Sequence, residues 1–189
     1  MRRQAGINKI KIRGDRVAHD KNYYASEFHK YSIHRTEKGI RIDINFQPLG
    51  AALDRAQLAL DNQVWHDMQR HMPRRDGELI RRTNALNEVS AGSGEVHVYD
   101  PTLPYAHYMY MGEKYIDPVW RVGGFYGILP DKEGQWWSRK GVTKIPSGEP
   151  LNYTNPEAIS LWDVEAIERY GDDWVEVVRR VLEGSDLNN

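Results

Sequence analysis

The side chains of this 189-residue chain with the most obvious chemical potential are its seven histidines, a close carboxylate pair and a cluster of glycines. A metal site needs ligands that converge, and ligands on one helix converge at a spacing of three or four residues. His66 and His71 are five apart and point to different faces of their helix. His97 and His107 sit in separate segments, and no His-Glu-x-x-His pattern occurs. The histidines therefore read as exposed or structurally bonded groups. The chain has no cysteine, which removes disulfides, thiolate metal sites and cysteine nucleophiles together and suits manufacture in a reducing cytoplasm. Gly123, Gly124 and Gly127 are not followed by the Gly-Lys-Ser/Thr of a phosphate loop, and no Gly-x-Ser-x-Gly elbow is present. Asp76 and Glu78 form a carboxylate pair of the type used in glycoside hydrolysis, but turn chemistry explains them better. The reading is of a protein with no catalytic residue, no metal and no cofactor.

What stands out instead is residues 104–112, Pro-Tyr-Ala-His-Tyr-Met-Tyr-Met-Gly, with three tyrosines and two methionines in nine positions. A tyrosine presents a large apolar ring with a polar tip, which suits a surface that is covered only when a partner arrives. Tyr105, Tyr108 and Tyr110 are candidate contacts on this ground, as are Trp136 and Trp137 further on. The chain holds 11 Tyr and 6 Trp but only 3 Phe, so its apolar content is weighted toward rings enriched at interfaces. The same composition also fits a modest core that uses Trp and Tyr as bulk.

The net charge of -1 hides an asymmetry. Residues 1–38 hold 10 of the 26 Lys+Arg and 4 of the 27 Asp+Glu, a net +6, which leaves -7 on the rest. A basic arm on an acidic body is the pattern of a tail that reaches for nucleic acid or an acidic neighbour, or simply of a solvated arm. Arg2, Arg3, Lys9, Lys11, Arg13 and Arg16 can contact phosphates, and Tyr23 and Tyr24 can stack on bases, with nothing to specify sequence. No apolar run reaches the length needed to cross a membrane, and the N-terminus lacks the apolar stretch of a signal peptide.

The elements that must position these residues follow from periodicity. Residues 1–38 have little of it and read as an extension; residues 39–189 read as the folded body. Ile40, Ile42, Ile44 and Phe46 alternate with Arg41, Asp43 and Asn45, the pattern of a half-buried strand. Pro48 opens a helix of about six turns with the stripe Leu53, Ala56, Leu60, Val64 and Met68, and Pro73 stops it. His66, Arg70 and His71 sit toward its C-terminal end, where positive charge is favoured. Residues 74–79 form a turn. Residues 88–91 and 95–99 flank Gly92-Ser93-Gly94, which reads as a hairpin with Val96 and Val98 on one face. Residues 113–155 are rich in Gly and Pro, so regular helix is not expected there, yet Trp120, Phe125, Tyr126, Trp136 and Trp137 must pack either on this chain or on another. Pro156 opens a helical region with Ile159, Trp162 and Ala166 in a stripe. Gly171 interrupts it, and a second stretch capped by Asp172 carries Trp174, Val177, Val178, Val181 and Leu182 to a stop at Gly184.

With these residues in view, the chain resembles the phage minor capsid proteins of the head–tail joining, or tail-completion, group. The likeness runs from the 40–46 strand nearly to Leu182. The family turn Pro-x-x-Thr-Gly-x-Leu appears as Pro73-Arg74-Arg75-Asp76-Gly77-Glu78-Leu79, with Asp76 in place of the usual threonine. The Pro-Tyr-Ala signature is Pro104-Tyr105-Ala106, followed by Tyr108, Tyr110 and Gly112. Leu151-Asn152-Tyr153 precedes the last helices, and Trp162 and Trp174 stand where the family has its C-terminal tryptophans.

The resemblance implies a small α+β domain, with no catalysis, that forms a ring in the neck of the virion between portal and tail. The expected architecture is a long helix packed on a small antiparallel sheet and closed by the C-terminal helix or helices, with a basic N-terminal extension. The expected partners are further copies in a hexameric or dodecameric ring, neighbouring neck, portal or tail proteins, and packaged DNA, which the arm can touch without sequence preference; no membrane is involved. An acidic body suits a DNA conduit, because like charge limits sticking of the genome. A tail-terminator or capsid-decoration role, and a non-specific nucleic-acid-binding protein built on the arm, are the alternatives.

Overall fold

The computed structural model describes residues 9–11, 20–31, 33–37, 40–121, 125, 126, 136, 137, 139 and 141–184. It is an α+β protein whose centre is one long helix, α2 (Gln47–Arg70). Asn45 accepts the Gln47 N–H at 2.9 Å, and Pro48 occupies the first turn, where its missing N–H costs nothing. The buried side of α2 includes Ala52, Ala56, Val64, Trp65 and Met68, and Pro73 lies just past its end, as the periodicity predicts.

Helix α2 also buries three carboxylates, Asp54, Asp61 and Asp67. Burying a carboxylate is unfavourable unless its lone pairs are occupied, and each of these is occupied by a different part of the chain. Asp54 accepts the N–H groups of Tyr24 and Ala25 at 2.9 and 2.8 Å. These are the second and third residues of α1 (Tyr23–His29), so α2 supplies the N-terminal cap that α1 lacks in its own sequence. Asp61 accepts from the N–H groups of Gly92 and Gly94 at 2.7 and 3.0 Å. Asp67 accepts from the Trp174 indole at 2.9 Å. One helix thus fixes α1, a turn and the C-terminal helix through hydrogen bonds as well as packing.

The close approach of α1 explains Gly50. A Cβ there would lie 2.6 Å from the Ala25 Cα, inside the backbone of α1. Gly50→Ala is expected to cost about 1–3 kcal/mol as an overpacked site does and to raise protease cleavage within residues 20–31. Unchanged cleavage would mean that α1 does not sit on α2.

The strands form four two-stranded antiparallel pairs among the described residues. β2 (Ile33–Glu37) pairs with β3 (Ile40–Ile44) in the register Ile33↔Ile44 to Glu37↔Ile40. β3 is the strand expected from alternation, ending at Ile44, which stays 40 % exposed. β1 (Lys9–Lys11) pairs with β4 (Glu95–His97), bringing the basic arm onto the body with Ile10 opposite Val96. β5 (Glu113–Ile116) pairs with β8 (Ile145–Pro150), and β6 (Phe125–Tyr126) with β7 (Trp136–Trp137).

Two expectations are corrected. Residues 88–91 are not a hairpin strand: they end and cap a helix, α3 (Glu78–Ser90), of which only the first two residues fall in the expected 74–79 turn. Its buried positions, Leu79, Thr83 and Asn87, recur every four residues, but two of the three are polar and do not read as an apolar stripe. Thr83 donates to the Leu79 carbonyl at 2.8 Å, and the Asn87 side-chain amide bonds both the N–H and the C=O of His97 at 2.6 and 3.0 Å. Asn87 does for β4 what the expected strand would have done. Val96 and Val98 do share the core side, at 1 % and 0 % exposure.

The C-terminal region is one helix, α5 (Trp162–Glu183), which starts six residues after Pro156 and runs through Gly171. A glycine inside a helix costs about 1 kcal/mol. The burial of Trp162, Ala166 and Trp174 against α2 and its neighbours outweighs this, so no break occurs. The core lies between α2, α3, β4, α5 and the short helix α4 (Ala106–Met111).

Candidate assembly surface

The tyrosine-rich segment folds as α4, ended by Gly112 at φ 69. Helical spacing sends its side chains in different directions. Tyr110 turns inward, 4 % exposed: its hydroxyl donates to Asp163 at 2.8 Å and its ring meets Trp162 edge-on at 5.1 Å. It belongs to the core, which corrects the expectation that it contacts a partner. Tyr108 is half-buried, its ring 4.6 Å from that of Tyr115. Tyr105, at 38 %, is exposed.

Tyr105 stands over a groove of about 530 Å³ that three distant segments build together: the 73–79 turn, α4 and residues 152–154. The sequence motifs Pro73–Leu79, Pro-Tyr-Ala and Leu-Asn-Tyr therefore meet in space. Gly77 takes φ 78, the left-handed conformation that favours glycine, to end the turn, and the Asp76 carboxylate accepts the Glu78 N–H at 3.0 Å to start α3. The Tyr153 hydroxyl donates to the Met109 carbonyl at 2.6 Å, tying the third segment to α4. Burial pushes its pKa up, which keeps it a donor. Thr154 donates to the Arg74 carbonyl at 3.2 Å, and Asn155 accepts the Arg74 N–H at 3.1 Å, tying it to the turn. Leu79, Tyr105, Met109 and Tyr153 give the groove an apolar wall, and Arg74, Arg75 and Asp76 a charged rim that is net positive.

A second feature begins at Asp117, whose side chain is 1 % exposed. Its carboxylate accepts the N–H groups of Val119 and Trp120 at 2.9 and 3.0 Å, Nε and Nη2 of Arg139 at 2.7 and 2.5 Å, and Nζ of Lys144 at 3.3 Å. The Arg139 guanidinium also lies over the Trp120 ring, 4.4 Å from its centre. Residues 117 and 139 are thus held together, and between them in the sequence β6 pairs with β7. No other described element packs extensively on these two strands. Trp136 and Trp137 form β7, and their side chains lie outside the described residues. So do Arg2, Arg3, Arg13 and Arg16, and the side chains of Lys9 and Lys11. The clamp was missed by sequence reasoning; its one signal is Asp117-Pro118, a pair that favours turn initiation.

The Arg139 hydrogen bonds hold the Asp117 carboxyl well below the usual carboxylate range, against the opposing effect of burial, with the Trp120 and Val119 N–H groups adding to the effect. A folded-state pKa below the unfolded value stabilises the fold above the unfolded value, about 3.9 for aspartate, and that stability is lost as pH falls below it. The clamp is expected to weaken from about pH 4 downward. Urea midpoints measured across that range should fall less steeply for Asp117→Asn than for the parent chain. Equal slopes would show that the clamp carries no linkage.

The outer side of α5 adds an exposed apolar stripe, Val164, Ile167 and Val175, at 45 %, 46 % and 64 %. Among the described residues, no group of three His, Asp or Glu is placed to hold a metal ion, and no helix is long and apolar enough to cross a membrane.

The chain matches the family model described as minor capsid protein over residues 39–145, more than half its length, and it belongs to that phage family of structural virion proteins. No curated protein and no solved structure matches it. The family match takes in the turn motif, the tyrosine segment and the whole 118–138 excursion, and ends before α5.

Proposed function

We propose that this minor capsid protein is a head–tail joining, or tail-completion, component whose copies close into a ring in the phage neck between portal and tail, with no catalytic role. The observation that carries the reading is the root of the aromatic-rich 118–138 stretch, where Asp117 and Arg139 are clamped together, while no other described element packs extensively on its β6–β7 pair. Aromatic residues at an interface gain burial from a second chain. A groove and an excursion at different places on one chain make head-to-tail contacts, and head-to-tail contacts that close give rings. The acidic body fits a channel that passes DNA, and the basic arm supplies charge toward portal, capsid or genome.

The test is the copy number of the protein in purified virions, measured against the portal protein by quantitative mass spectrometry. A closed neck ring requires roughly six to twelve copies per particle. Hundreds of copies would replace this reading with capsid decoration or a tail lattice, and absence from particles would overturn it.

A further inference from the structure

We propose that the groove beside the 73–79 turn receives the tip of the 118–138 excursion, residues 127–135, from a second copy of the chain. The inference rests on the ring reading above and names the contact that would close the ring.

The lining of the groove is described in full, and no described residue fills it. At about 530 Å³ it falls within the roughly 300–1,000 Å³ of sites that bury a small ligand. Its wall is apolar, from Leu79, Tyr105, Met109 and Tyr153, and its rim carries Arg74, Arg75 and Asp76, two cations against one anion. Among the described residues Arg75 has no ion-pair partner, and the Arg74 guanidinium bonds only the Gln69 carbonyl, at 3.2 Å. The rim is therefore net positive. The occupant should therefore be a short segment with apolar residues beside carboxylates.

The tip has that composition. Residues 127–135 read Gly-Ile-Leu-Pro-Asp-Lys-Glu-Gly-Gln, three apolar residues followed by Asp131 and Glu133, with Lys132 the one cation. The ends of this segment are held together by the pairing of Tyr126 with Trp136, and the root is held by the Asp117 clamp. Holding the two ends of a segment together reduces the ordering cost of docking it. Ile128, Leu129 and Pro130 match the wall, and Asp131 and Glu133 match Arg74 and Arg75. Knob and hole lie on separate parts of the chain, so each copy can give its tip to one neighbour and take the tip of another.

The absence of cysteine makes a direct test available. Arg75→Cys and Glu133→Cys, each on an otherwise unchanged full-length chain and one carrying a mass tag, would be mixed and oxidised. The expected product is a covalent dimer of tagged and untagged chains, and the double variant should give a ladder of covalent multimers. Arg75→Glu, an exposed substitution that breaks no ion pair, should weaken self-association up to about fivefold, and adding Glu133→Arg should restore it. Rings seen by mass photometry without the mixed cross-link would overturn the docking site and leave the ring reading standing. An intrachain bridge in the double variant, with no mixed dimer, would also overturn it, since the tip would then occupy its own groove. A chain that stays monomeric at all concentrations would overturn both.

Discussion

Trp162→Ala is expected to destabilise the fold by about 3–5 kcal/mol, the cost of deleting a large buried aromatic. Trp162 is 0 % exposed and is the first residue of α5. Its indole N–H donates to the Val98 carbonyl at 3.0 Å, and its ring packs edge-on to Tyr110. The substitution therefore removes buried area, opens a cavity and leaves a buried carbonyl without its donor. Domains of this size have total stabilities of roughly 5–15 kcal/mol, so the variant would be near its unfolding threshold. The urea midpoint is the measurement, with Val175→Ala as the control; at 64 % exposure that change should stay within about 0.5 kcal/mol. A loss under about 1 kcal/mol at Trp162 would mean that α5 does not close this core.

The second large effect is expected on assembly with almost none on the fold. In the Trp136→Ala/Trp137→Ala chain the altered residues form β7, which pairs with β6 and has no extensive packing on another described element. The urea midpoint should therefore move little. Tryptophans at the centre of an interface each carry about 2 kcal/mol or more, roughly thirtyfold in affinity. The double variant should accordingly produce few joined particles in a complementation assay while remaining folded by circular dichroism. A normal yield of joined particles would remove the excursion from the assembly surface. Unfolding of the variant would place these rings in the core instead. The outcomes at Trp162 and at Trp136 and Trp137 would separate the two uses of tryptophan that composition leaves indistinguishable.

Much of the scaffold was legible in the chain. Alternation over residues 40–46 marks β3, and three-to-four periodicity from Pro48 to Pro73 marks α2 with bounds close to those observed. The turn, Pro-Tyr-Ala and Leu-Asn-Tyr motifs carry the family likeness, and the family match includes the first two. The candidate surface was legible only in part. Tyr105, Pro73 and Leu79 were singled out, but nothing in their spacing shows that they line one groove. Tyr110 was grouped with Tyr105 and Tyr108, although on a helix those positions face different sides, and the short α4 was not foreseen.

What the sequence determines by itself is local pattern: the α+β class, the long helix and its stop, the strand β3, the charge contrast between arm and body, and the family. What the tertiary structure decides is where polar groups are buried. Asp54, Asp61 and Asp67 fall outside the apolar stripe of the long helix, yet they are buried, and Thr83 and Asn87 conceal the stripe of α3. Asp117 reads as a loop residue. Each is buried because donors arrive from residues distant in the chain: Tyr24 to Asp54, Gly92 to Asp61, Trp174 to Asp67, Arg139 to Asp117. Periodicity records which side of an element is apolar, and it can be read locally. A hydrogen-bond partner brought from elsewhere by the fold makes the burial of a carboxylate favourable, and that partner exists only once the chain has closed on itself.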